Sequence, residues 1–353
     1  MARSVRWTFE NTSGHAGWRP SEPMSRALLL VEPGRFAWAD IPDPAPATGE
    51  VVVRARYSGL CGTDLHIAAG HHPRATLPLA IGHEFVGVPE AGRLAGRTVL
   101  VDPLLPCGAC AACEVGASNA CARLRLIGID RDGALAGRVA VAEDRLHVVP
   151  STIPDEVAPL AEPIAVAVHA VRRVPPLADR VVVVMGGGPV GLLVAHVARR
   201  SGGRVVLAEP SPARRSIADA LGFTLLDAAD PLEDVMLRTE GQLASVVFDA
   251  AAAGPVADLL TRLVSPAGTI AIVGTYGKPT PFDLQAVMFK ELTVVGHRTY
   301  LPVDIEAALR VLDADQEVLR PLMSGTIGPD QVQATVEALR DGQGMKFVVE
   351  CPT

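Results

Sequence analysis

Residues 180–209 read RVVVVMGGGPVGLLVAHVARRSGGRVVLAE: an apolar run, a glycine-rich turn, a helical segment and a second apolar run. Gly186, Gly188 and Gly191 fit G-x-G-x-x-G, and the motif follows a strand-like run and opens a helix, which is the context it requires. Gly186 permits the tight turn, Gly188 lets a pyrophosphate approach the backbone, and Gly191 lets helix and strand pack closely. The pattern predicts a dinucleotide site at which the helix N-terminus, Pro189-Val190, faces the phosphates.

The second apolar run ends in Glu209, eighteen residues after Gly191. A carboxylate there can accept hydrogen bonds from the adenosine ribose hydroxyls and would repel a 2′-phosphate, which favours NAD over NADP. Arg214 and Arg215 follow closely and would soften that preference. A glycine-rich turn that binds nothing is the alternative, but strand, turn, helix, strand and acid arrive in the expected order.

The chain divides into a β-rich part and an α/β part. From residue 24 to about 150, short apolar runs are separated by Gly, Pro and Asp, which is typical of strands. After residue 180, apolar runs alternate with helical segments and predict a doubly wound parallel sheet; the runs are residues 181–185, 205–208, 224–226, 245–248, 269–273 and 292–295. We expect an α/β fold with a cofactor domain at 173–300, a β-rich domain at 24–172 plus about 301–353, and an unpatterned arm at 1–23.

Composition argues against several classes of partner. The 353 residues carry a net charge of -7, with a pI of about 5.7, which opposes a general affinity for nucleic acid or for an anionic membrane. No apolar signal segment is visible near the N-terminus. The long apolar stretch at 181–198 is interrupted by Gly186-Gly187-Gly188-Pro189, which disfavours a membrane span. We expect a cytoplasmic protein that acts on a small molecule.

Four of the six cysteines lie within fifteen residues, as C-x2-C-x2-C-x7-C: Cys107, Cys110, Cys113 and Cys121. Thiolates at this density make a closed tetrahedral site, which suits a structural zinc. An iron–sulfur cluster and unliganded thiols are the alternatives. The ferredoxin pattern would continue with x3-C-P, whereas here the fourth cysteine comes eight residues on and is followed by Ala122.

A second set of metal-binding residue types is dispersed through the β-rich part. Cys61 follows the run VVVRARYSGL, His83 and Glu84 come twenty-two residues later, and Glu162 precedes a proline and a helical segment. One Cys, one His and one or two Glu supply three protein ligands and leave a position for water or substrate, the pattern of a catalytic zinc. Each has an ordinary alternative, since a lone Cys is usually a small core residue and either Glu could be ion-paired or cap a helix. Their occurrence beside a dinucleotide motif favours the metal.

Together these motifs resemble the zinc-containing medium-chain dehydrogenase/reductase family, most closely its polyol (sorbitol-like) and threonine dehydrogenase branch. The resemblance covers roughly residues 24–353, and its carriers are CGTDLH at 61–66, GHEFVG at 82–87, the four-cysteine segment, LAEPIAVAVHAV at 160–171 and GGGPVG at 186–191. It implies a GroES-like β-rich catalytic domain with a Rossmann cofactor domain, NAD(H) as cofactor, and two zinc ions per chain.

The resemblance also implies roles for individual residues. Cys61 and His83 match zinc ligands, and Glu84 and Glu162 compete for the remaining protein position. The implied substrate is a secondary alcohol, or the corresponding ketone, of a polyol, sugar, cyclitol or amino alcohol. The family often forms homodimers or homotetramers, and the same is expected of this chain.

Thr63 and His66 match the family's proton relay, because a hydroxyl donates and accepts at once and a histidine takes up a proton near neutral pH. A solvated loop histidine is the alternative for His66. The segment between His83 and Cys107 is shorter than the usual form, which affects the rim of the substrate pocket. Two rival functions are a zinc-free quinone or enone reductase that uses NADPH and a non-enzymatic nucleotide-binding protein.

Overall fold

A computed structural model describes residues 24–227 and 229–352, so the predicted arm at 1–23 lies outside the described residues. Within the described chain the strands are β1 Met24–Glu32, β2 Arg35–Pro42, β3 Glu50–Gly59, β4 Glu84–Pro89, β5 Val99–Val101, β6 Leu104–Leu105, β7 Arg125–Leu126, β8 Arg138–Ala142, β9 Leu146–Val148, β10 Val181–Met185, β11 Arg204–Ala208, β12 Thr224–Leu225, β13 Ala244–Asp249, β14 Val264–Ile272, β15 Thr293–Gly296, β16 Met323–Ile327 and β17 Lys346–Glu350. The α-helices are α1 Gly62–Ala68, α2 Ala111–Glu114, α3 Ala161–Arg172, α4 Pro189–Arg200, α5 Pro212–Ala220, α6 Pro231–Arg238, α7 Gly254–Leu263, α8 Leu284–Phe289, α9 Pro302–Leu319 and α10 Val332–Arg340.

The described chain forms two compact units. The first extends to Glu162 and adds Leu312–Gln316 and the residues from Met323 onward; the second contains Pro163–Val311 and Glu317–Leu322. The division predicted from the sequence placed these boundaries near residues 172 and 301. The structure assigns most of α3 and the first part of α9 to the second unit, where His169 Nδ1 on α3 lies 2.8 Å from Asp304 Oδ2 on α9.

The first unit is built on a mostly antiparallel sheet in the order β16-β17-β3-β4-β5-β9, with β8 also paired to β3. Val51, Val53 and Ala55 alternate along β3, and their side chains are buried in the core of this unit. Such alternation is expected for a sheet with only one face on a core. The last strand, β17, is antiparallel to β3, so the C-terminal strand is part of the sheet of the first unit.

The second unit contains a six-stranded sheet in the order β12-β11-β10-β13-β14-β15, and every neighbouring pair is parallel. Along β10, Val182 to Met185 are all buried, as expected for a central strand that is covered on both faces. The order, numbered within this unit, is 3-2-1-4-5-6, the Rossmann arrangement, in which a ligand binds where the strand order reverses. The predicted doubly wound sheet is therefore confirmed.

Several elements escaped the sequence analysis. The prediction contained neither β2 nor β16, nor the short helix α1, and it placed no strand at β4, which carries Glu84. None of the helices in residues 24–227 and 229–352 combines the length and the hydropathy of a membrane span. The apolar stretch at 181–198 forms β10 and α4 instead, as the interrupting glycines predicted.

Candidate functional site

The glycine-rich loop joins β10 to α4 in the second unit. Gly186 has φ +100°, a conformation that side chains rarely adopt. A Cβ on Gly191 would lie 1.9 Å from the Gly186 carbonyl oxygen, so only glycine fits there. Gly188 is the N-cap of α4, with Pro189 and Val190 in its first turn, and a Cβ on Gly188 would meet nothing closer than Arg214 Nη1 at 4.0 Å. The backbone here is open to a ligand at a helix N-terminus, where phosphates bind.

Glu209 is 3% exposed and fixes this loop. Its Oε2 accepts from the Gly187 amide at 2.7 Å, and its Oε1 accepts from the Ser211 amide at 2.8 Å. A carboxylate has about four acceptor positions, so it can still accept from a ligand hydroxyl. Arg215 donates to the carbonyls of Glu209 and Leu226 and is therefore structural. The guanidinium of Arg214, in contrast to that of Arg215, lies near the glycine-rich loop.

The four-cysteine lobe consists of Cys107, Cys110, Cys113 and Cys121, whose sulfur atoms all lie within 4.8 Å of one another. The Cys110 Sγ is 3.6 Å from Cys113 Sγ and 3.8 Å from Cys121 Sγ. Four thiolates placed tetrahedrally at the usual zinc–sulfur distance are about 3.8 Å apart. The lobe therefore has the donor set and the spacing that a zinc ion needs.

Hydrogen-bond donors surround the sulfurs of the four-cysteine lobe. The amides of Cys107 and Arg123 each donate to Cys121 Sγ at 3.3 Å. The Arg123 guanidinium donates to Cys107 Sγ at 3.4 Å. The Ala109 amide and then Arg123 lower the pKa of Cys107 to about 6. These donors favour the thiolate form of Cys107, which is the form that binds a metal, whereas burial and then Cys110 raise the pKa of Cys113 to about 11.

Three of the dispersed residues form a second group, the Cys61 cluster, in the first unit. The ligand atoms of Cys61, His83 and Glu84 all lie within 4.8 Å of one another. Cys61 is the N-cap of α1, His83 immediately precedes β4, and Glu84 is the first residue of β4. His83 and Glu84 are buried, whereas Cys61 is partly exposed. One sulfur, one imidazole and one carboxylate that reach a partly open position are a donor set for a catalytic metal.

Asp64 is a buried residue of this site that the sequence analysis missed. Its Oδ2 accepts from the Cys61 amide at 2.9 Å, and its Oδ1 lies 3.4 Å from His83 Nδ1. Since Nδ1 faces Asp64, Nε2 is the nitrogen available to a metal. Burial opposes the charged imidazole, but the Asp64 carboxylate and then Cys61 outweigh it and hold the pKa of His83 well above its usual value. The same negative groups that stabilise the protonated imidazole also favour the binding of a divalent metal cation here.

Lys346 is a second residue that the sequence analysis missed. Its Nζ donates to Glu84 Oε1 at 2.8 Å and to Glu84 Oε2 at 2.7 Å, and both side chains are almost fully buried. Burial opposes the charged ammonium, but Glu84 and then Cys61 outweigh it and raise the pKa of Lys346. Glu84 is thus both a candidate ligand and half of a buried ion pair. Lys346 lies on β17, far along the chain from Glu84, and no local sequence motif predicted that it would contact Glu84.

The remaining predicted residues lie around this cluster. Glu162 is 7% exposed near the start of α3 and is not among the three residues whose ligand atoms converge. Thr63 Oγ1 is 3.8 Å from Cys61 Sγ. His66 lies one turn further along α1, with its side chain exposed. The structure therefore favours Glu84 over Glu162 beside Cys61 and places the two relay residues on one helix.

Two domain families match the chain. Residues 189–314 match the zinc-binding dehydrogenase family, and residues 47–151 match the GroES-like domain of alcohol dehydrogenases. The first match falls mainly on the α/β part and the second on the β-rich part, and together they contain the cysteine lobe, the Cys61 cluster and the second half of the glycine motif, residues 189–191.

Individual relatives point in the same direction. The 2-dehydro-3-deoxy-L-galactonate 5-dehydrogenase of Pseudoalteromonas atlantica is 36% identical over 87% of this chain and 93% of its own length. The sorbitol dehydrogenase of Halalkalibacterium halodurans is 30% identical over 90% of this chain and 96% of its own. The crystal structure of RspB from Escherichia coli CFT073, an alcohol dehydrogenase complexed with NADH, is 25% identical, covers 93% of this chain and 99% of its own, and superposes with a TM-score of 0.85.

Proposed function

Because this chain belongs to the zinc-containing medium-chain dehydrogenase/reductase family, in its polyol dehydrogenase branch, we propose that it is an NAD-dependent enzyme that interconverts a secondary alcohol and its ketone on a polyol or sugar acid. It is a zinc-type alcohol dehydrogenase with a nicotinamide cofactor and a small-molecule substrate. The observation that carries the proposal is the convergence of Cys61, His83 and Glu84 on one partly open position. A zinc-free reductase and a non-enzymatic protein would not need this donor set.

In this proposal Cys61, His83 and Glu84 would hold the catalytic zinc, and Glu162 is the alternative protein ligand. The ion supplies Lewis acidity, which favours loss of the alcohol proton at neutral pH. Asp64 faces His83 Nδ1 at 3.4 Å and accepts from the Cys61 amide, so it would orient both ligands for the metal. The four-cysteine lobe would hold a second zinc that stabilises its segment and takes no part in the chemistry.

Thr63 and His66 would carry the substrate proton away. Thr63 lies beside Cys61 at the cluster, whereas His66 is exposed one turn further along α1, an arrangement that supports a route for the proton from the reacting position to solvent. A hydroxyl can accept the substrate proton while it donates its own, and a histidine can then release a proton near neutral pH.

We also propose NAD as the physiological cofactor. The support is Glu209, a carboxylate beside the phosphate loop that would repel a 2′-phosphate; among structural relatives one is complexed with NADH and another is bound to NADP. Arg214 lies near the same loop and would weaken the discrimination against NADP.

A second copy of the chain is the partner we propose for the β15 edge. In the described chain β15 ends the parallel sheet, so one of its edges is open to another strand. Next to it α8 exposes Leu284 at 72%, Met288 at 61% and Phe289 at 72%, and β15 exposes Val294 at 44%. An open strand edge beside an apolar patch fits two-fold pairing of identical strands. In light scattering, Phe289→Asp should shift a dimer towards monomer, whereas an unchanged mass would contradict this interface.

The first experiment combines metal analysis with turnover. We expect about two zinc ions per chain and NAD-linked oxidation of secondary hydroxyls in a panel of polyols, sugar acids, cyclitols and amino alcohols. Glu209→Gln should narrow the ratio of kcat/KM for NAD over NADP, while Arg215→Gln should lower stability without changing that ratio. Turnover that survives full removal of metal by a chelator would refute the proposal.

A further inference from the structure

Asp249 is a buried carboxylate that no step of the proposed chemistry uses. It is the last residue of β13 and is 0% exposed. Its Oδ1 accepts from the amides of Ala251 and Ala252, each at 3.0 Å, and its Oδ2 accepts from the Tyr276 hydroxyl at 2.6 Å. Burial and then this hydrogen bond raise the pKa of Tyr276, so the phenol remains a donor. One carboxylate thus joins the loops that follow β13 and β14.

The loop after β13 is held in a strained conformation. Ala252 has φ +50°, in the left-handed region that residues with a Cβ seldom adopt. Such strain persists only where the surrounding contacts enforce it, and it is concentrated at functional sites. Here Asp249 Oδ1 accepts from the amide of Ala252 itself, and the same carboxylate is held in turn by Tyr276.

The strained loop lies beside the glycine motif. The strand order of the parallel sheet reverses between β10 and β13, and a ligand binds at the carboxyl ends of such strands. A Cβ on Gly186 would lie 2.9 Å from the Ala251 nitrogen, and a Cβ on Gly274 would lie 2.8 Å from the Ala252 Cβ. The loops after β10, β13 and β14 therefore pack without spare room, so a shift of the middle loop would change the surface that the motif offers to a ligand.

We propose that Tyr276 is a positioning residue that, through Asp249, holds residues 250–252 in the strained conformation to which the nicotinamide dinucleotide binds. The phenol acts through the carboxylate rather than by touching the cofactor. Without its hydroxyl, the Asp249 side chain is free to turn away from the two amides, and Ala252 is free to relax. This inference rests on the proposed function, since it assumes that a dinucleotide binds at the glycine motif.

Tyr276→Phe removes the hydroxyl and keeps the ring. The dissociation constant for NADH, measured from the fluorescence of the bound reduced nicotinamide, should rise by roughly tenfold, which is the scale of one lost hydrogen bond to a charged group. The KM for NAD should rise with it, whereas kcat and the KM for the alcohol should stay within about twofold. An unchanged dissociation constant would overturn the inference.

Ala252→Gly separates positioning from direct contact, because glycine adopts φ +50° without strain. In Ala252→Gly/Tyr276→Phe the loop keeps its conformation without the hydrogen bond, so NADH should bind nearly as tightly as in the wild type. If Tyr276 instead touched the cofactor, the double variant would bind NADH as weakly as Tyr276→Phe, and the inference would be wrong.

Ala267→Gly/Tyr276→Phe is the matched control. Ala267 also has a positive φ, +56°, but it lies in the first half of β14, towards the opposite end of the sheet from the three loops. The control should relieve similar strain and still bind NADH as weakly as Tyr276→Phe. Restored binding there would mean that general stability sets the affinity, which would overturn the inference. A wild-type protein that binds neither NADH nor NADPH would instead refute the proposed function, before any variant is compared.

Discussion

The four-cysteine lobe takes all its sulfur ligands from residues 107–121, whereas the Cys61 cluster draws on α1 and the start of β4 and is backed by Lys346 from the end of the chain. In the lobe, the sulfurs accept hydrogen bonds from nearby amides and from Arg123. In the cluster, buried side chains carry the charges, and their partners are Asp64 and Lys346.

The difference between the lobe and the cluster shows how each kind of site is built. Amides that point at thiolates make a closed site that needs no tertiary partner, which suits an ion that only stabilises. Burying charged groups costs desolvation free energy, even when their partners come from distant parts of the sequence. In return, these partners set the strength and direction of each metal ligand, which suits an ion that must exchange a ligand. The two sites should therefore respond differently to substitution.

Cys61→Ser should have the largest effect on turnover. It removes the sulfur ligand of the cluster, and we expect kcat/KM to fall by about 10³-fold or more while the metal content drops from about two zinc ions per chain to about one. Turnover and plasma emission on the same sample measure both quantities. A variant that keeps full turnover would show that the cluster is not the catalytic site.

Cys110→Ser should separate stability from chemistry. The lobe loses a ligand, so its zinc should leave and the thermal unfolding midpoint should fall by about 5 °C or more, since a structural zinc contributes folding free energy directly. The remaining zinc, still at the Cys61 cluster, should keep turnover within a few-fold of the wild type at low temperature. Loss of both zinc ions together would contradict the independence of the two sites.

The same contrast explains what could be predicted from the sequence. The cysteine spacing, the glycine motif and the alternation of apolar runs are local patterns, and they predicted the lobe, the phosphate loop and the parallel sheet. Asp64 was within reach, because it stands three residues after Cys61, where it caps α1. Lys346 was not, since β17 pairs with β3 only in the folded unit. The sequence also could not choose between Glu84 and Glu162 as the ligand beside Cys61. That choice depends on where the first residue of β4 lies relative to α1 in the folded chain.

Asp64→Asn tests whether the cluster depends on a buried charge. The amide keeps the shape of the side chain but removes the negative charge that faces His83 Nδ1, so His83 becomes a poorer ligand. We expect a 10- to 100-fold loss in kcat or in zinc affinity at the Cys61 cluster. The zinc of the four-cysteine lobe should be unaffected, and a loss from both sites would indicate general unfolding instead.

Arg123→Gln should have the smallest effect, and it tests the lobe through pH. Because the Ala109 amide and then Arg123 lower the pKa of Cys107 to about 6, the thiolate persists to lower pH, and protons displace zinc only as the pH falls further. Without the guanidinium the pKa of Cys107 rises, so half of the lobe zinc should be lost at a pH that is higher by roughly a few tenths of a unit. The shift is small because Arg123 is exposed and the nearby amides remain.

Arg125→Gln is the control for Arg123→Gln, because Arg125 is an exposed arginine in the neighbouring strand β7 and carries the same charge. It should leave the pH of zinc release unchanged. Equal shifts in the two variants would mean that general surface charge, rather than the Arg123–Cys107 hydrogen bond, sets the proton competition. Zinc released at each pH is measured with a chromogenic chelator, and Cys61→Ser serves as the background because its only remaining zinc is expected in the lobe. If Arg123→Gln instead lost its lobe zinc at a lower pH than the wild type, the sign would be wrong for a cation that stabilises a thiolate. The ligands of the four-cysteine lobe would then not be tuned by their immediate neighbours.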